Sequence, residues 1–271
     1  MAVVARDFAG YSVVRRLAEG GMTHLFVALD PSHNRVVIRQ LGEVWARQWR
    51  HRRGFFHCGE VLAKMNHPNV VRLIKMGRDD QLPYMVLEYI ESHTLRDLIL
   101  HRDPFLTVNV MPLMRQIAAA INYIHASGYL HLDIKPENIL VTAEGRVVVI
   151  DFDLAVRRKH RPIRIRMLPG TPSYIAPEVI LKHTVDERAD IYSFGMTCYE
   201  MCVFHKPFEG DKIEQVRAAQ VDPRVQPTPL RQHNPDIPPA RESLILKCLA
   251  KQHDDRYPSM RLVSRDLEAI L

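Results

Sequence analysis

The sequence has no apolar run approaching the roughly eighteen residues that a membrane-spanning helix needs. Its first residues also lack the apolar core of a signal peptide. Together these absences predict a soluble intracellular protein, placed in the cytoplasm. Cysteine is scarce: the 4 present are Cys58, Cys198, Cys202 and Cys248, and no two form a CxxC pair of the kind that builds zinc or redox sites. Cys198 and Cys202 fall on one face of an apolar helical stretch, where buried thiols are expected rather than ligands. No internal repeat is visible, which removes the repeat architectures. Acidic residues are missing from Val44 to Gly59 and again from Leu154 to Pro177, and lysine is missing before Lys64.

What is present is an ordinary balance, 46% hydrophobic and 25% charged. A chain of 271 residues can be one large domain or two small ones, and can bury a substantial core. The net charge of +6 favours an acidic partner without fixing a function.

Strand signals come first. Tyr11–Leu17 and His24–Leu29 flank a glycine turn, Asp30–Asn34 is a turn, and Val36–Arg39 is a third strand. A helix is expected over Arg47–Met65, with Phe55, Leu62 and Met65 on one side and His67-Pro68-Asn69 as its stop. Val70–Ile74 and Tyr84–Leu87 complete a small five-stranded sheet, and Glu88–Ser92 connects onward. Beyond it the spacing turns helical. Leu95, Leu98 and Ile99 mark a short helix, and Leu113, Ile117, Ala120, Ile121 and Ile124 a long one ended by Gly128. Glu187–Met201 is a strongly apolar helix, expected to be buried on most sides. Residues 221–240 are rich in proline and are expected as an irregular loop, with closing helices at Arg241–Ala250 and Met260–Leu271.

The chemistry concentrates in His131-Leu132-Asp133-Ile134-Lys135-Pro136-Glu137-Asn138, followed by Asp151-Phe152-Asp153. Between them lies an apolar hairpin, Ile139-Leu140-Val141 and Val147-Val148-Val149-Ile150, turning at Glu144-Gly145. Asp133 can accept a hydroxyl proton, and Asn138 and Asp151 can hold Mg²⁺, a set that suits in-line phosphoryl transfer. Any one triplet alone could be a polar turn with chance carboxylates. The order and spacing, with Gly170-Thr171-Pro172-Ser173-Tyr174-Ile175-Ala176-Pro177-Glu178 downstream, argue against chance.

These motifs resemble those of the eukaryotic-type serine/threonine protein kinase family, over nearly the whole chain. The resemblance implies an α+β, bilobal protein-kinase fold: a five-stranded β lobe with a regulatory helix over residues 1–88, then a larger α-helical lobe over 89–271, together a single domain. It implies ATP and Mg²⁺ as cofactors. Asp133 would orient the substrate hydroxyl and take its proton, Lys135 would contact the transferring phosphate, and Asn138 and Asp151 would hold the metal. Lys135 and Thr171 follow the serine/threonine pattern. Leu17, Gly20, Leu25, Arg39 and Leu140, with the backbone of Glu88 and Ile90, would hold the nucleotide, and Leu87 sits at the gatekeeper position. Glu178 would pair with Arg256, Asp190 would brace the catalytic loop, and Leu62, Leu73, His131 and Phe152 fall where the family stacks its spine.

The departures cluster on nucleotide handling. The glycine loop has Ala18, Gly20 and Thr23 where the family has three glycines, and a Thr23 side chain obstructs close backbone approach to phosphate. The third strand ends Val37-Ile38-Arg39 instead of Ala-Ile-Lys. Overpacking by Val37 against adenine would cost roughly 1–3 kcal/mol, and the planar guanidinium of Arg39 is no point charge. Counting back from Pro68 puts Cys58 where the helix glutamate belongs; Glu60, the nearest acid, would lie on another face. With no lysine before Lys64, Arg39 supplies that charge or nothing does. Leu132 replaces the arginine that receives a phosphorylated loop residue, and no Ser, Thr or Tyr lies between Asp151 and Gly170. Phosphorylation within that span is excluded, so control would be constitutive or by a partner. Asp153 replaces the glycine of the Asp-Phe-Gly motif and should restrict its backbone flip.

Two readings follow. One is a serine/threonine kinase with weakened or partner-dependent turnover; the other is a pseudokinase scaffold or allosteric binding module. A polyanion-binding protein is a third class, resting only on basic clusters. The clusters are Arg157, Arg158, Lys159, Arg161, Arg164 and Arg166, and Arg47, Arg50, Arg52 and Arg53. They predict an acidic protein or phosphopeptide partner, with Trp45 and Trp49 as apolar anchors and nucleic acid less favoured.

Overall fold

The computed structural model describes residues 7–165 and 170–270. The chain divides between Glu91 and Ser92 into two compact units. In the first unit, β1 (Asp7–Phe8), β2 (Tyr11–Gly20), β3 (Thr23–Leu29) and β4 (Arg35–Leu41) precede α1 (Glu43–Ala46), α2 (Trp49–Leu62), β5 (Leu73–Asp79) and β6 (Leu82–Glu88). The strands form one antiparallel sheet in the order β1-β2-β3-β4-β6-β5. Five are the strands expected from the alternating pattern, and the two-residue β1 adds a short edge.

Alternation in β4 sends Val36, Ile38 and Gln40 to a buried face and leaves Val37 and Arg39 half-buried on the other. On α2, Phe55, Cys58, Gly59 and Leu62 recur at helical spacing and are buried. A Cβ on Gly59 would lie 2.2 Å from the sulfur of Met76, so any larger residue there would have to displace that flexible side chain. The helix expected over Arg47–Met65 runs only over Trp49–Leu62, because Gln48 adopts an extended conformation and caps α2, and the short α1 lies ahead of the expected range. Trp45 and Trp49 therefore sit on separate helices and are not one turn apart. The strand expected at Val70–Ile74 begins only at Leu73. Val70 and Val71 are apolar because they are buried in the turn after α2, where Val70 N–H donates to His67 C=O at 3.0 Å.

The second unit opens with β7 (His93–Thr94), α3 (Leu95–Leu100), α4 (Pro104–Ala126) and β8 (Tyr129–Leu130). The hairpin β9 (Ile139–Val141) and β10 (Val147–Val149) follows, then β11 (Val156–Arg157) and β12 (Ile163–Arg164). After these come α5 (Pro177–Lys182), β13 (Thr184–Val185), α6 (Glu187–Val203), α7 (Ile213–Val221), α8 (Leu230–His233), α9 (Pro239–Cys248) and α10 (Met260–Ala269). Thr94 starts α3 with a capping box, donating to and accepting from Asp97. Asp186 caps α6, whose apolar side chains are buried on most sides, as its strongly apolar composition predicts. The proline-rich stretch contains α8 and the start of α9, because proline ahead of a first helical turn forfeits no helix hydrogen bond.

Among the described residues α4 is the one helix long and apolar enough to cross a membrane by length and composition; half of it is buried inside the fold. It packs on α6 and α10, and Arg115 reaches from it to the carbonyls of Leu267 and Ile270 at 3.2 and 2.8 Å.

Candidate active site

The loop from His131 to Asn138 is hung from α6. Asp190 accepts from His131 N–H at 2.9 Å and Leu132 N–H at 2.8 Å, and pairs with His125 Nε2 at 2.8 Å. Burial works to raise the Asp190 pKa, but these donors hold it below the usual carboxylate range. Leu132 takes a left-handed backbone, φ 64°, which these two bonds sustain.

His131 is fully buried and reads both neighbouring strands. Its Nδ1 accepts from Asp133 N–H at 3.2 Å, so its Nε2 carries the proton and donates to Ile150 C=O at 3.2 Å. Its ring meets Phe152 edge-on at 4.7 Å, and burial lowers its pKa.

Asp133 is buried and caged. Oδ2 pairs with Lys135 Nζ at 2.8 Å and accepts from Asn138 Nδ2 at 2.8 Å, while Oδ1 accepts from Thr171 N–H at 3.2 Å. Lys135 also donates to Thr171 Oγ1 at 2.7 Å. Asn138 lies in a 3-10 turn, Pro136–Asn138, and donates a second time to Asp133 C=O at 2.9 Å. Its amide nitrogen is thus committed to Asp133, so Oδ1 is the atom it can offer a cation. Ile150 N–H donates to Asn138 C=O at 2.9 Å, closing the hairpin neck that delivers Asp151. Asp151 has φ 64° and accepts from Asp153 N–H at 3.4 Å.

Gly170 is the position where only glycine serves. Its φ is +79°, and a Cβ would come within 2.8 Å of Leu132 C=O and 3.1 Å of Asp133 Oδ1. Farther out, Glu178 and Arg256 form a buried bidentate pair at 2.9 and 2.8 Å.

Sequence spacing did not find two further networks, whose members lie far apart along the chain. Arg96 pairs with Glu200 at 2.6 Å and Glu137 at 2.9 Å, and donates to the Tyr174 hydroxyl, which donates to Glu200 at 2.5 Å. Burial and the Glu200 carboxylate push the Tyr174 pKa up. Arg158 pairs with Glu187 at 2.6 Å, which removes it from the basic side chains counted as open to a partner. Arg166 lies outside the described residues.

In the first unit, Arg39 donates to Thr23 Oγ1 at 3.5 Å and to Cys58 Sγ at 3.7 Å, with its guanidinium 5.6 Å from the Phe55 ring centre. Cys58 is fully buried and Glu60 is exposed, so the helix presents a thiol to Arg39. Val37 stands between Val27 and Leu87 of the adjoining strands. Leu17 is 39% exposed, Leu25 is half-buried, and Gly20 ends β2 opposite Thr23. Glu88 N–H donates to Arg72 C=O at 3.0 Å, and its side chain accepts from Arg72 N–H at 2.9 Å. Ile90 follows in the connector, and Leu140 lies in β9 of the second unit.

The donor set suits a hard cation only in part. Asn138 and Asp151 offer oxygen, yet among the described residues no group of three His, Cys, Asp or Glu side chains could hold a metal ion. The Asn138 Oδ1 and the Asp151 carboxylate are hard oxygen donors of the kind Mg²⁺ takes, alongside the waters and phosphate oxygens it usually keeps.

Residues 11–267 match the protein kinase domain family. The chain is 31% identical to serine/threonine-protein kinase PknB of Mycolicibacterium smegmatis, over 95% of this chain and 42% of that protein. It is 28% identical to PrkC of Bacillus subtilis, over 99% and 41% respectively. It thus spans about two fifths of the length of these curated relatives. Its fold is similar to the crystal structure of the Mycobacterium tuberculosis PknI kinase domain, with a TM-score of 0.73, 24% identity, and 99% of each chain covered.

Proposed function

Since this chain belongs to the protein kinase domain family, we propose that it transfers phosphate from ATP to serine or threonine of a protein substrate, using Mg²⁺. The observation that carries this reading is the cage around Asp133. Lys135, Asn138 and Thr171 fix both carboxylate oxygens, so the group is ready to orient a hydroxyl and take its proton. Lys135, held between Asp133 and Thr171, brings a positive charge to the position of the transferring phosphoryl group. Asn138 and Asp151 would hold Mg²⁺, which when bound neutralises phosphate charge. Arg39, Leu17, Gly20, Leu25, Leu140 and the backbone of Glu88 and Ile90 would hold the nucleotide.

Turnover is weak or partner-dependent in this reading, because Arg39 meets the Cys58 thiol and Thr23 occupies the glycine loop. The same contact favours a second reading, a pseudokinase module that binds without catalysis. The basic segment near Lys159, Arg161 and Arg164 suits an acidic protein or phosphopeptide partner. In this reading the domain works in the cytoplasm, where ATP is at hand.

The test is thermal stabilisation by ATP with and without Mg²⁺, for wild type and Asp151→Asn, alongside phosphate incorporation into generic basic proteins. Metal-dependent stabilisation lost in Asp151→Asn, together with transfer, supports the kinase. Stabilisation without transfer, in the presence of candidate partners, selects the pseudokinase.

A further inference from the structure

The segment after Asp151 has no serine, threonine or tyrosine as far as Gly170, and the Leu132 side chain cannot bind a phosphate. The segment is nevertheless tied down. β11 pairs with β8, Val156 opposite Leu130, and Arg158 N–H continues the contact to Gly128 C=O at 2.8 Å. β12 pairs with β13, and Ile165 N–H donates to His183 C=O at 2.8 Å. β13 leads directly into α6, whose first residue is Glu187.

Between these two strand pairs stands Arg158. One guanidinium nitrogen pairs with Glu187 Oε1 at 2.6 Å; the other donates to His125 C=O at 3.2 Å. The other Glu187 oxygen lies 3.6 Å from His125 Nδ1, and His125 Nε2 meets Asp190 at 2.8 Å. Asp190 in turn holds the backbone N–H groups of His131 and Leu132. The segment is therefore tied through the His125 carbonyl and the His125 Nε2–Asp190 contact to the loop that carries Asp133, while His125 Nδ1 makes no hydrogen bond of its own.

We propose that Arg158 is a positioning residue, forming with Glu187 a built-in latch that holds the segment against the catalytic-loop support in place of a phosphate. Three features favour a latch over a chance surface pair. The guanidinium engages two different elements at once, which fixes its plane. Glu187 is only 15% exposed, so its charge is less screened than that of a surface carboxylate. And Glu187 sits at the N-terminus of a 17-residue helix, which itself favours a carboxylate there. The neighbouring Lys159 and Arg161 are exposed and are not part of this link. The consequence for turnover rests on the kinase reading above; the consequence for order in the segment does not.

Hydrogen exchange on the whole chain tests it. Arg158→Met should speed exchange in residues 155–165 by about five- to tenfold, and leave the β9–β10 hairpin unchanged. Glu187→Gln should do the same, and the double variant should be no worse than either single, because both break one link. Arg158→Lys, which keeps charge but loses the planar fork, should recover part of the protection. In parallel, Arg158→Met should lower kcat for peptide phosphorylation while KM for ATP is unchanged. Unchanged exchange in Arg158→Met, or additive loosening in the double variant, overturns the latch. Loosened exchange with unchanged kcat overturns its role in positioning. Absence of transfer by wild type counts against the kinase reading, and the exchange result then decides the latch alone.

Discussion

Arg39 Nη1 lies 3.7 Å from Cys58 Sγ, so the cation at the end of the Val37-Ile38-Arg39 strand faces a thiol on α2. A thiol is a weak hydrogen-bond acceptor with a single sulfur and does not answer a guanidinium fork as the two oxygens of a carboxylate do. Arg39→Lys alone should therefore change ATP affinity little. Cys58→Glu alone buries a carboxylate beside a bulky fork, while the double change creates a compact ion pair. ATP-induced shifts in Tm across the four proteins should show recovery in the double variant beyond the sum of the singles. Additivity within about 0.5 kcal/mol would show that the two positions do not act as a unit.

Asp133→Asn should abolish phosphoryl transfer and leave nucleotide binding nearly unchanged. Its carboxylate contacts are Lys135, Asn138 and Thr171, and in the kinase reading Asp133 itself would handle the acceptor hydroxyl rather than the nucleotide. Loss of the general base and orienter costs typically 10²–10⁴-fold or more. Thermal stabilisation by ATP on the variant, compared with single-turnover transfer, separates the two. A variant that still transfers phosphate at the wild-type rate would remove Asp133 from the chemistry.

Much of this was legible in the sequence because short-range motifs encode local geometry. His131 to Asn138, with the hairpin and Asp151, lie close together in sequence, and the structure closes them with contacts such as Ile150 N–H to Asn138 C=O. The position of Cys58 opposite Arg39 was reachable by counting from Pro68. Periodicity gave the five long strands and α6. It failed where burial comes without regular structure, as at Val70 and Val71, and where a single extended residue, Gln48, sets the start of a helix two residues later than expected. Nothing local could announce the Arg96–Glu200 contact, whose members are 104 residues apart, or Arg158–Glu187. Ion pairs between distant elements are set by tertiary packing, and charged residues look alike in sequence whether paired or solvated.

Arg256 makes the most committed structural pair. Its guanidinium meets both Glu178 oxygens, the carbonyls of Ala250 and Arg188 at 2.7 and 3.0 Å, and the Tyr192 ring at 4.8 Å. Arg256→Met strands a buried carboxylate and should cost about 3–5 kcal/mol. Pairing it with Glu178→Met should recover a good part, though the carbonyls stay unpartnered. Urea unfolding of the three proteins measures this. A loss below about 1 kcal/mol for Arg256→Met would mean that the pair is not holding the fold.

His131 makes stability depend on pH on the acid side. Buried and neutral, it accepts from Asp133 N–H through Nδ1 and donates to Ile150 C=O, so a second proton would remove the acceptor that Asp133 N–H uses. Burial lowers its pKa below the ordinary 6.5; the facing carboxylates Asp190, Asp133 and Asp151 oppose that without reversing it. With the folded pKa below the unfolded one, the unfolded chain binds more protons under pH 6.5, so the contribution is full above that value and is lost as pH falls through the folded pKa. Unfolding free energy measured between pH 7.5 and 5 should fall more steeply for wild type than for His131→Phe. Parallel slopes would assign the acid sensitivity elsewhere.

The basic segment should bind an acidic partner in a salt-dependent way, through side chains that the fold leaves outward. Arg157, Lys159, Arg161 and Arg164 are exposed, while Arg158 is engaged with Glu187. Exposed charges are screened over ~8–10 Å near physiological ionic strength, so attraction to an Asp/Glu-rich or phosphorylated peptide should weaken steeply as salt rises. Changing Lys159, Arg161 and Arg164 together to Ser should lower affinity severalfold at low salt and flatten the salt dependence. Arg158 is left intact in that variant, so that loss of binding is not confused with loosening of the segment. Fluorescence anisotropy of an acidic peptide and its neutral counterpart, titrated at about 50 and 300 mM salt, reads both effects. Single-stranded oligonucleotide, tested beside them, should bind no more tightly than the acidic peptide. Equal affinity of wild type and the triple variant, or affinity indifferent to salt, would show that this basic surface is merely solvated.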